Sequence, residues 1–257
     1  MMVDTAVIPC GGRGTRLHPI TRWLPKEILP VGLRPILHWT LDEAADAGLL
    51  RAIIVTNPHK PMLEAAARNY EGPLELEFVP QDHPRGLGDA LLRARDHLAG
   101  SPFLALLPDN LFTGPNPTAA VVSTFRATRL TTVLLAEVGR EHAATKGPTG
   151  RATIRSERDG SLRVTDVGEK GSDRFDAGDA GVAMTPIGRM AFPAEVLEEF
   201  DEVGRGLPPG VELDDVPVLQ RLARRDALAG VISRAAFFDV GVPEGYRDAV
   251  TSFPARA

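Results

Sequence analysis

An apolar run, Thr5–Pro9, opens directly into three glycines within four residues (Gly11, Gly12 and Gly14), with Arg13 and Arg16 set among and just after them. This junction constrains the fold more than any other stretch. A short apolar run bounded by turn residues reads as a buried strand. Glycines placed straight after it let the backbone turn with positive φ and approach a ligand closely. Successive exposed N–H groups in such a turn form an anion-binding concavity, and arginine forks match phosphate oxygens. Lys26 follows ten residues after Arg16, fenced by Pro25 and Pro30. Ile8–Pro30 is therefore a phosphate-handling segment. It is not a Walker A loop, because no Gly-Lys-Ser/Thr closes it. Nor is it a dinucleotide fingerprint: Leu17 stands where the third glycine belongs, and Pro19, Pro25 and Pro30 oppose a long helix.

The rest of the chain supplies a sheet for that loop. Apolar strands are expected at Val3–Pro9, Ala52–Thr56, Leu74–Pro80, Phe103–Pro108 and Thr131–Val138. Helical patterns lie between them at Pro35–Ala47, Pro61–Asn69, Leu87–Ala99 and Thr118–Thr128. This alternation predicts an α/β fold, Rossmann-like, with a mostly parallel mixed sheet and helices on both faces. After Glu141 the pattern changes. Arg151–Ser156 and Leu162–Val167 flank Asp159-Gly160, a hairpin signal, in a glycine-rich stretch read as an excursion from the main sheet. A strand near Val182–Thr185, helices at Pro193–Phe200 and Val216–Arg225, a last strand at Val231–Phe238 and a helix at Tyr246–Ser252 complete one domain, 1–257. Residues 1–138 form a nucleotide-binding half. Residues 139–257 form a second half that carries the hairpin. In open α/β sheets ligands bind beyond the carboxyl ends of strands, where the glycine loop, Gln81, Asp109-Asn110 and Asp239 all fall.

Composition narrows the class. A net charge of −5 argues against a general nucleic-acid or membrane-surface binder. One cysteine, Cys10, excludes an internal disulfide framework and fits a reducing compartment. The amino terminus lacks the basic and apolar regions of a signal peptide, and no apolar run approaches a membrane span, so a cytoplasmic location is expected. Of 29 basic residues only Lys26, Lys60, Lys146 and Lys170 are lysines. In a chain that otherwise uses arginine, such lysines suggest places needing a compact point charge. The six histidines show no ligand spacing, and Trp23 and Trp39 are expected to pack.

Gly-Gly-x-Gly-Thr-Arg-Leu followed by Pro-Lys-Glu-x-Leu-Pro resembles the signature of sugar-1-phosphate nucleotidylyltransferases, within which the Pro-Lys-Glu is shared with bacterial UTP–glucose-1-phosphate uridylyltransferases. The resemblance implies a nucleotide-diphospho-sugar transferase fold, and an NTP and a sugar 1-phosphate as partners. It makes Arg16 and Lys26 catalytic and puts the nucleotide on Gly11, Gly12, Gly14, Thr15, Gln81, Gly86 and Gly88. Glu169 and Lys170 correspond to the Glu-Lys that contacts the sugar and its phosphate. Asp109 and Asp239 correspond to carboxylates that hold Mg²⁺, an ion suited to oxygen ligands and few carboxylates. UTP and glucose 1-phosphate are the first expectation. The alternatives are dTTP, GTP, CTP or ATP with an unusual sugar or cyclitol phosphate, or a non-catalytic nucleotide- or sugar-sensing subunit on the same fold. Family analogy further implies a homodimer or homotetramer. The sequence departs from its relatives mainly on the sugar side, where Gly171 replaces a proline and the Tyr-Gly is absent near Lys146–Gly150; on the nucleotide-base side Asp89 stands where His or Gln is common, which leaves the base open. Both Ile187–Arg189 and Ala180–Val182 match family segments there.

Overall fold

The computed structural model describes residues 3–171 and 175–254. The strands are β1 (Thr5–Pro9), β2 (Arg51–Thr56), β3 (Glu75–Pro80), β4 (Phe103–Leu106), β5 (Asn110–Thr113), β6 (Thr131–Gly139), β7 (Ala152–Ser156), β8 (Leu162–Val167), β9 (Val182–Phe192), β10 (Leu228–Ile232) and β11 (Ala236–Asp239). Nine of them form one sheet in the order β3-β2-β1-β4-β9-β6-β10-β8-β7. Its first four strands run parallel, as does β10 beside β6. The antiparallel β9 is wedged between β4 and β6 and makes the sheet mixed.

Side-chain alternation explains the two covered faces. Along β1 and β2, Val7, Ile53 and Val55 point to one core, where Leu91, Phe200 and Leu219 await them. Ala6, Ile8, Ala52 and Ile54 point to the other, against Leu37, Leu63 and Phe125. The first core thus takes α3 (Leu87–Arg93), α5 (Val196–Arg205) and α6 (Val216–Arg224). The second takes α1 (Ile36–Asp46), α2 (Pro61–Arg68) and α4 (Pro117–Thr128). Each fully buried Leu, Ile or Phe contributes about 1.5–3 kcal/mol. A third, smaller cluster joins Leu17, Leu29, Leu111, Val240 and Phe253. It glues the glycine segment to β11 and to the last helix, α7 (Pro243–Ser252).

Three elements differ from the sequence reading. The expected strand Val231–Phe238 is two strands. Ser233 Oγ bonds both the N–H and the carbonyl of Ala235, a local turn that competes with the ladder. The chain then leaves the main sheet, and β11 pairs with β5 instead. The strand expected at Val182–Thr185 runs on to Phe192, with a register shift between Ile187 and Met190. The hairpin of β7 and β8 is an edge of the main sheet rather than an excursion from it, because Leu162 and Arg163 pair with β10. Among the described residues no helix is long and apolar enough to cross a membrane.

Candidate active site

The glycine loop leaves the buried end of β1, and Cys10 N–H donates to Val55 O at 2.7 Å. Gly14 has φ of +64°, a left-handed conformation that L side chains avoid. A Cβ at Gly11 would collide with Gln81 Oε1, so the loop lies directly on that amide. Lys60 holds it from behind. Its Nζ donates to Cys10 O at 2.7 Å and Gly12 O at 2.6 Å, and pairs with Glu27 at 3.1 Å. Because each peptide is planar and trans, the N–H groups of Gly11 and Arg13 face away from Lys60. Glu27, the glutamate of Pro-Lys-Glu, is 0% exposed. Burial pushes its carboxyl up, offset by Lys60 and Lys26.

Asp109 and Asp239 are 130 residues apart and meet through one ladder. In the β5–β11 pair Asn110 lies opposite Asp239, and Val240 N–H donates to Asp109 O at 2.8 Å. Asp239 accepts from Gly147 N–H at 2.6 Å and Gly241 N–H at 3.0 Å. A Cβ at Gly241 would sit 2.9 Å from Asp109 Oδ2 and 3.1 Å from Asp239 Oδ1. Both carboxylates therefore converge over the one residue without a side chain. Lys26 Nζ pairs with Asp109 at 2.5 Å. Burial works against the Asp109 charge, but Lys26 and then Arg16 outweigh it and hold the carboxyl low. Burial and the neighbouring Asp109 charge push Asp239 up. The repulsion between Asp109 and Asp239 that persists beside Lys26 and Arg16 is what a bound cation would relieve. Among the described residues no cluster of three or more His, Cys, Asp or Glu is gathered. A pair of carboxylates fits Mg²⁺, which completes its octahedron with water and substrate phosphates.

Two cavities flank this pair. The larger, about 1040 Å³, lies between Gly11–Arg16, Gln81, Pro84–Asp89 and the loop 204–213. The smaller, about 240 Å³, is lined by Lys146–Gly150, Lys170, Thr185–Gly188, Asp215 and Asp239. Arg16, Leu87, Leu107 and Asp109 line both. Gly11, Gly12, Gly14, Thr15, Arg16, Lys26, Gln81, Gly86 and Asp109 are thus brought to the larger cavity.

The flanking glycines have another duty. Gly86 has φ of +98°, and a Cβ on Gly86 or Gly88 would strike Leu213. Gly88 N–H donates to Leu213 O at 2.8 Å, and Leu213 N–H donates to Arg85 O at 2.7 Å. These glycines admit the loop 204–213; Gly86 also lines the larger cavity, whereas Gly88 lines neither.

In the smaller cavity Lys170 is paired with Asp214 at 2.6 Å and Asp215 at 3.0 Å. Burial pushes Asp215 up to about 6. Asp214 stays at about 2, because hydrogen bonds from Asp215 and the Lys170 charge overcome its burial. Glu169, the expected partner of Lys170, is not brought to the site: its carboxylate accepts from Gln220 Nε2 at 2.9 Å and lines neither cavity. Gly188 lines the smaller cavity and its N–H donates to Asn110 Oδ1 at 2.8 Å, whereas 180–182 lie outside. Of the two family-like segments, Ile187–Arg189 is the one beside the site.

The motif reading gave Arg189 and Lys146 no structural role. Arg189 is fully buried on both Glu43 oxygens at 2.7 Å and on the carbonyls of Leu107 and Asn110, which ties β9 to the loop that carries Asp109. Lys146 Nζ donates to Phe237 O at 2.7 Å and lies over that ring, and burial pulls its pKa down. The scarcity of lysine was the usable signal, since all four reach this site or its supports. Trp39 packs on Phe253 as expected, but Trp23 is 81% exposed, because Pro19 and Pro25 hold its segment on the surface. Cys10 is buried, and burial pushes its thiol well up, away from reactivity.

With this geometry in view, the chain matches the family model for nucleotidyl transferases over residues 5–253. It is 27% identical to the UTP–glucose-1-phosphate uridylyltransferase of Pseudomonas aeruginosa, covering 96% of this chain and 95% of that one. It is 29% identical to UTP–glucose-1-phosphate uridylyltransferase 2 of Streptococcus pyogenes serotype M1, over 83% and 78% of the two chains. Its fold is similar to a crystal structure of UDP-glucose pyrophosphorylase complexed with UDP-glucose, with a TM-score of 0.81, 26% identity and 98% of each chain covered.

Proposed function

The chain belongs to the nucleotidyl transferase family and is a sugar-1-phosphate nucleotidylyltransferase; on that premise we propose that it joins UTP to glucose 1-phosphate, giving UDP-glucose and pyrophosphate with Mg²⁺ on Asp109 and Asp239. The shared wall of the two cavities carries this reading: Arg16 and Asp109 line both, so a nucleotide in the larger cavity and a sugar phosphate in the smaller meet beside them.

The reaction needs position and charge rather than a base. A sugar-phosphate oxygen, already anionic at neutral pH, bonds to the α-phosphorus. The bond from that phosphorus to the β-bridging oxygen breaks, and pyrophosphate leaves with the electron pair. The N–H groups of the glycine loop and Arg16 cradle the β- and γ-phosphates. Lys26, within reach of Asp109, neutralises charge that builds on the α-phosphate and leaving group. Lys170 faces the sugar phosphate while Asp214 and Asp215 hold its ammonium in place. When bound on Asp109 and Asp239, Mg²⁺ supplies Lewis-acid polarisation of the nucleotide phosphates.

A second reading keeps the reaction and changes the acceptor to another sugar or a cyclitol phosphate. The observation favouring it is the smaller cavity, from which Glu169 is turned away to Gln220. Pyrophosphate release with Mg²⁺, UTP and a panel of sugar 1-phosphates separates the two. Release with glucose 1-phosphate supports the first reading, and release only with another acceptor supports the second. Nucleotide binding with no release for any pair would overturn both in favour of a sensor.

A further inference from the structure

The Gln81 side chain is 3% exposed and sits on the floor of the larger cavity against Gly11. A free glutamine amide offers a donor and an acceptor and can turn over to suit either. Here it is held. Its Nε2 donates to Asp89 Oδ2 at 2.7 Å and, more weakly, to Gly86 O at 3.4 Å. A carboxylate oxygen only accepts, so the atom against it has to be the NH₂ group. Among the described residues, no donor reaches Gln81 Oε1, and that oxygen points at the glycine loop. Asp89 is itself fixed, in the first turn of α3 with Arg93 Nε 3.7 Å from its other oxygen. The Gln81 backbone is anchored by its N–H on Thr56 O at 2.7 Å.

We propose that Asp89 is a specificity-determining residue: it locks the Gln81 amide with its acceptor toward the nucleobase, so that the site selects bases with a ring N–H and rejects those with a ring lone pair at that position. Uracil, thymine and guanine carry such an N–H, whereas cytosine and adenine present a lone pair. Asp89 acts through Gln81 and touches no reacting atom. The inference rests on the nucleotidyl-transfer reading for its ligand, and it explains why an aspartate can stand where relatives have His or Gln.

The test is calorimetric binding of UTP and CTP to the full chain without sugar phosphate, for wild type, Asp89→Asn and Asp89→Ala. Wild type should bind UTP at least about tenfold tighter than CTP, the usual penalty for facing a buried acceptor with a lone pair. In Asp89→Asn the carboxamide can donate as well as accept, the Gln81 amide is free to turn, and the UTP-to-CTP ratio should fall severalfold, chiefly by tighter CTP binding. A purely structural role would weaken both nucleotides by the same factor, and that result, or an unchanged ratio, overturns the proposal. So does a wild type that prefers CTP, a comparison that needs no variant to fold. Nucleotide binding with the expected ratio but no pyrophosphate release with any sugar 1-phosphate overturns the proposed function and leaves the Asp89 lock standing. Binding of neither nucleotide overturns both.

Discussion

The two cavities share a wall but are built by opposite means. Much of the larger is made of short pieces at the carboxyl ends of parallel strands, Gly11–Arg16 after β1, Gln81 after β3 and Asp109 beyond β4, with the loop 204–213 facing them. The smaller is made of Thr185–Gly188 on β9, Asp239 at the end of β11, the loop at Lys146–Gly150, Lys170 and Asp215, held together by antiparallel pairing and side-chain ion pairs. A parallel sheet delivers its strand ends to one edge by topology alone, so a local motif is enough to make a site there. An antiparallel half needs register and long-range partners before any residue faces its cavity.

This contrast can be broken from its hinge outward. Asp109→Ala strikes the wall common to both cavities and Lys26→Ala removes its ion-pair partner; either should lower kcat by about 10²–10³-fold, the usual cost of removing a positioned charge. Steady-state pyrophosphate release at saturating substrates measures it, and a near-native rate would dissociate this pair from catalysis.

Lys60→Ala tests the support of the larger cavity. Leaving Glu27 buried without its partner costs about 3–5 kcal/mol, read as a fall in the urea midpoint. The double variant Lys60→Met/Glu27→Leu should recover much of that stability. Its KM for the nucleotide should remain raised, since nothing then holds the carbonyls of Cys10 and Gly12. Full recovery of KM would mean that the loop holds itself.

On the other side, Lys170→Ala should raise the KM for the sugar phosphate roughly tenfold, as expected for a lost charged hydrogen bond, with nucleotide affinity little changed. Glu169→Gln should alter neither by more than about twofold, since its carboxylate is spent on Gln220. Equal effects of the two substitutions would restore Glu169 to the site.

A further effect is in pH. Asp215 is raised from 3.8 to about 6, so between those values the folded chain holds a proton that the unfolded chain has released. Its contribution to stability is therefore full below about pH 4 and is lost as pH rises through 6, by on the order of 3 kcal/mol. Lowered Asp214 acts in the other direction, but between pH 2 and 4. Urea unfolding at pH 4.5 and 7 should show Asp215→Asn gaining on wild type as pH rises. A constant difference would mean that Asp215 is not proton-bound in the fold.

Legibility followed the same divide. The glycine loop, Gln81, Asp109 and Asp239 were readable because each follows an apolar run that ends abruptly in unusual residues, and Lys26 because it stands between Pro25 and Pro30 ten residues beyond Arg16. Glu169 was misplaced by its motif: neighbours in sequence point to opposite sides of an extended segment, and only Lys170 faces the cavity. Trp23 was expected inside on its apolar bulk, yet the prolines around it keep its segment out of the core. The anchoring of Arg189 and Lys146 was not legible, since their partners, Glu43 on α1 and Phe237 on β11, are distant in sequence.

The sequence by itself determined the α/β alternation, the glycine loop after β1 and the family, because hydrophobic period, glycine and proline act over a few residues. Only the tertiary structure decided that β11 abandons the main sheet to set Asp239 opposite Asn110, that Lys60 anchors the loop from behind, and that Asp89 fixes the Gln81 amide. Those choices depend on register and on the pairing of buried charges, and a buried polar group finds its partner by where the chain folds rather than by its neighbours in sequence.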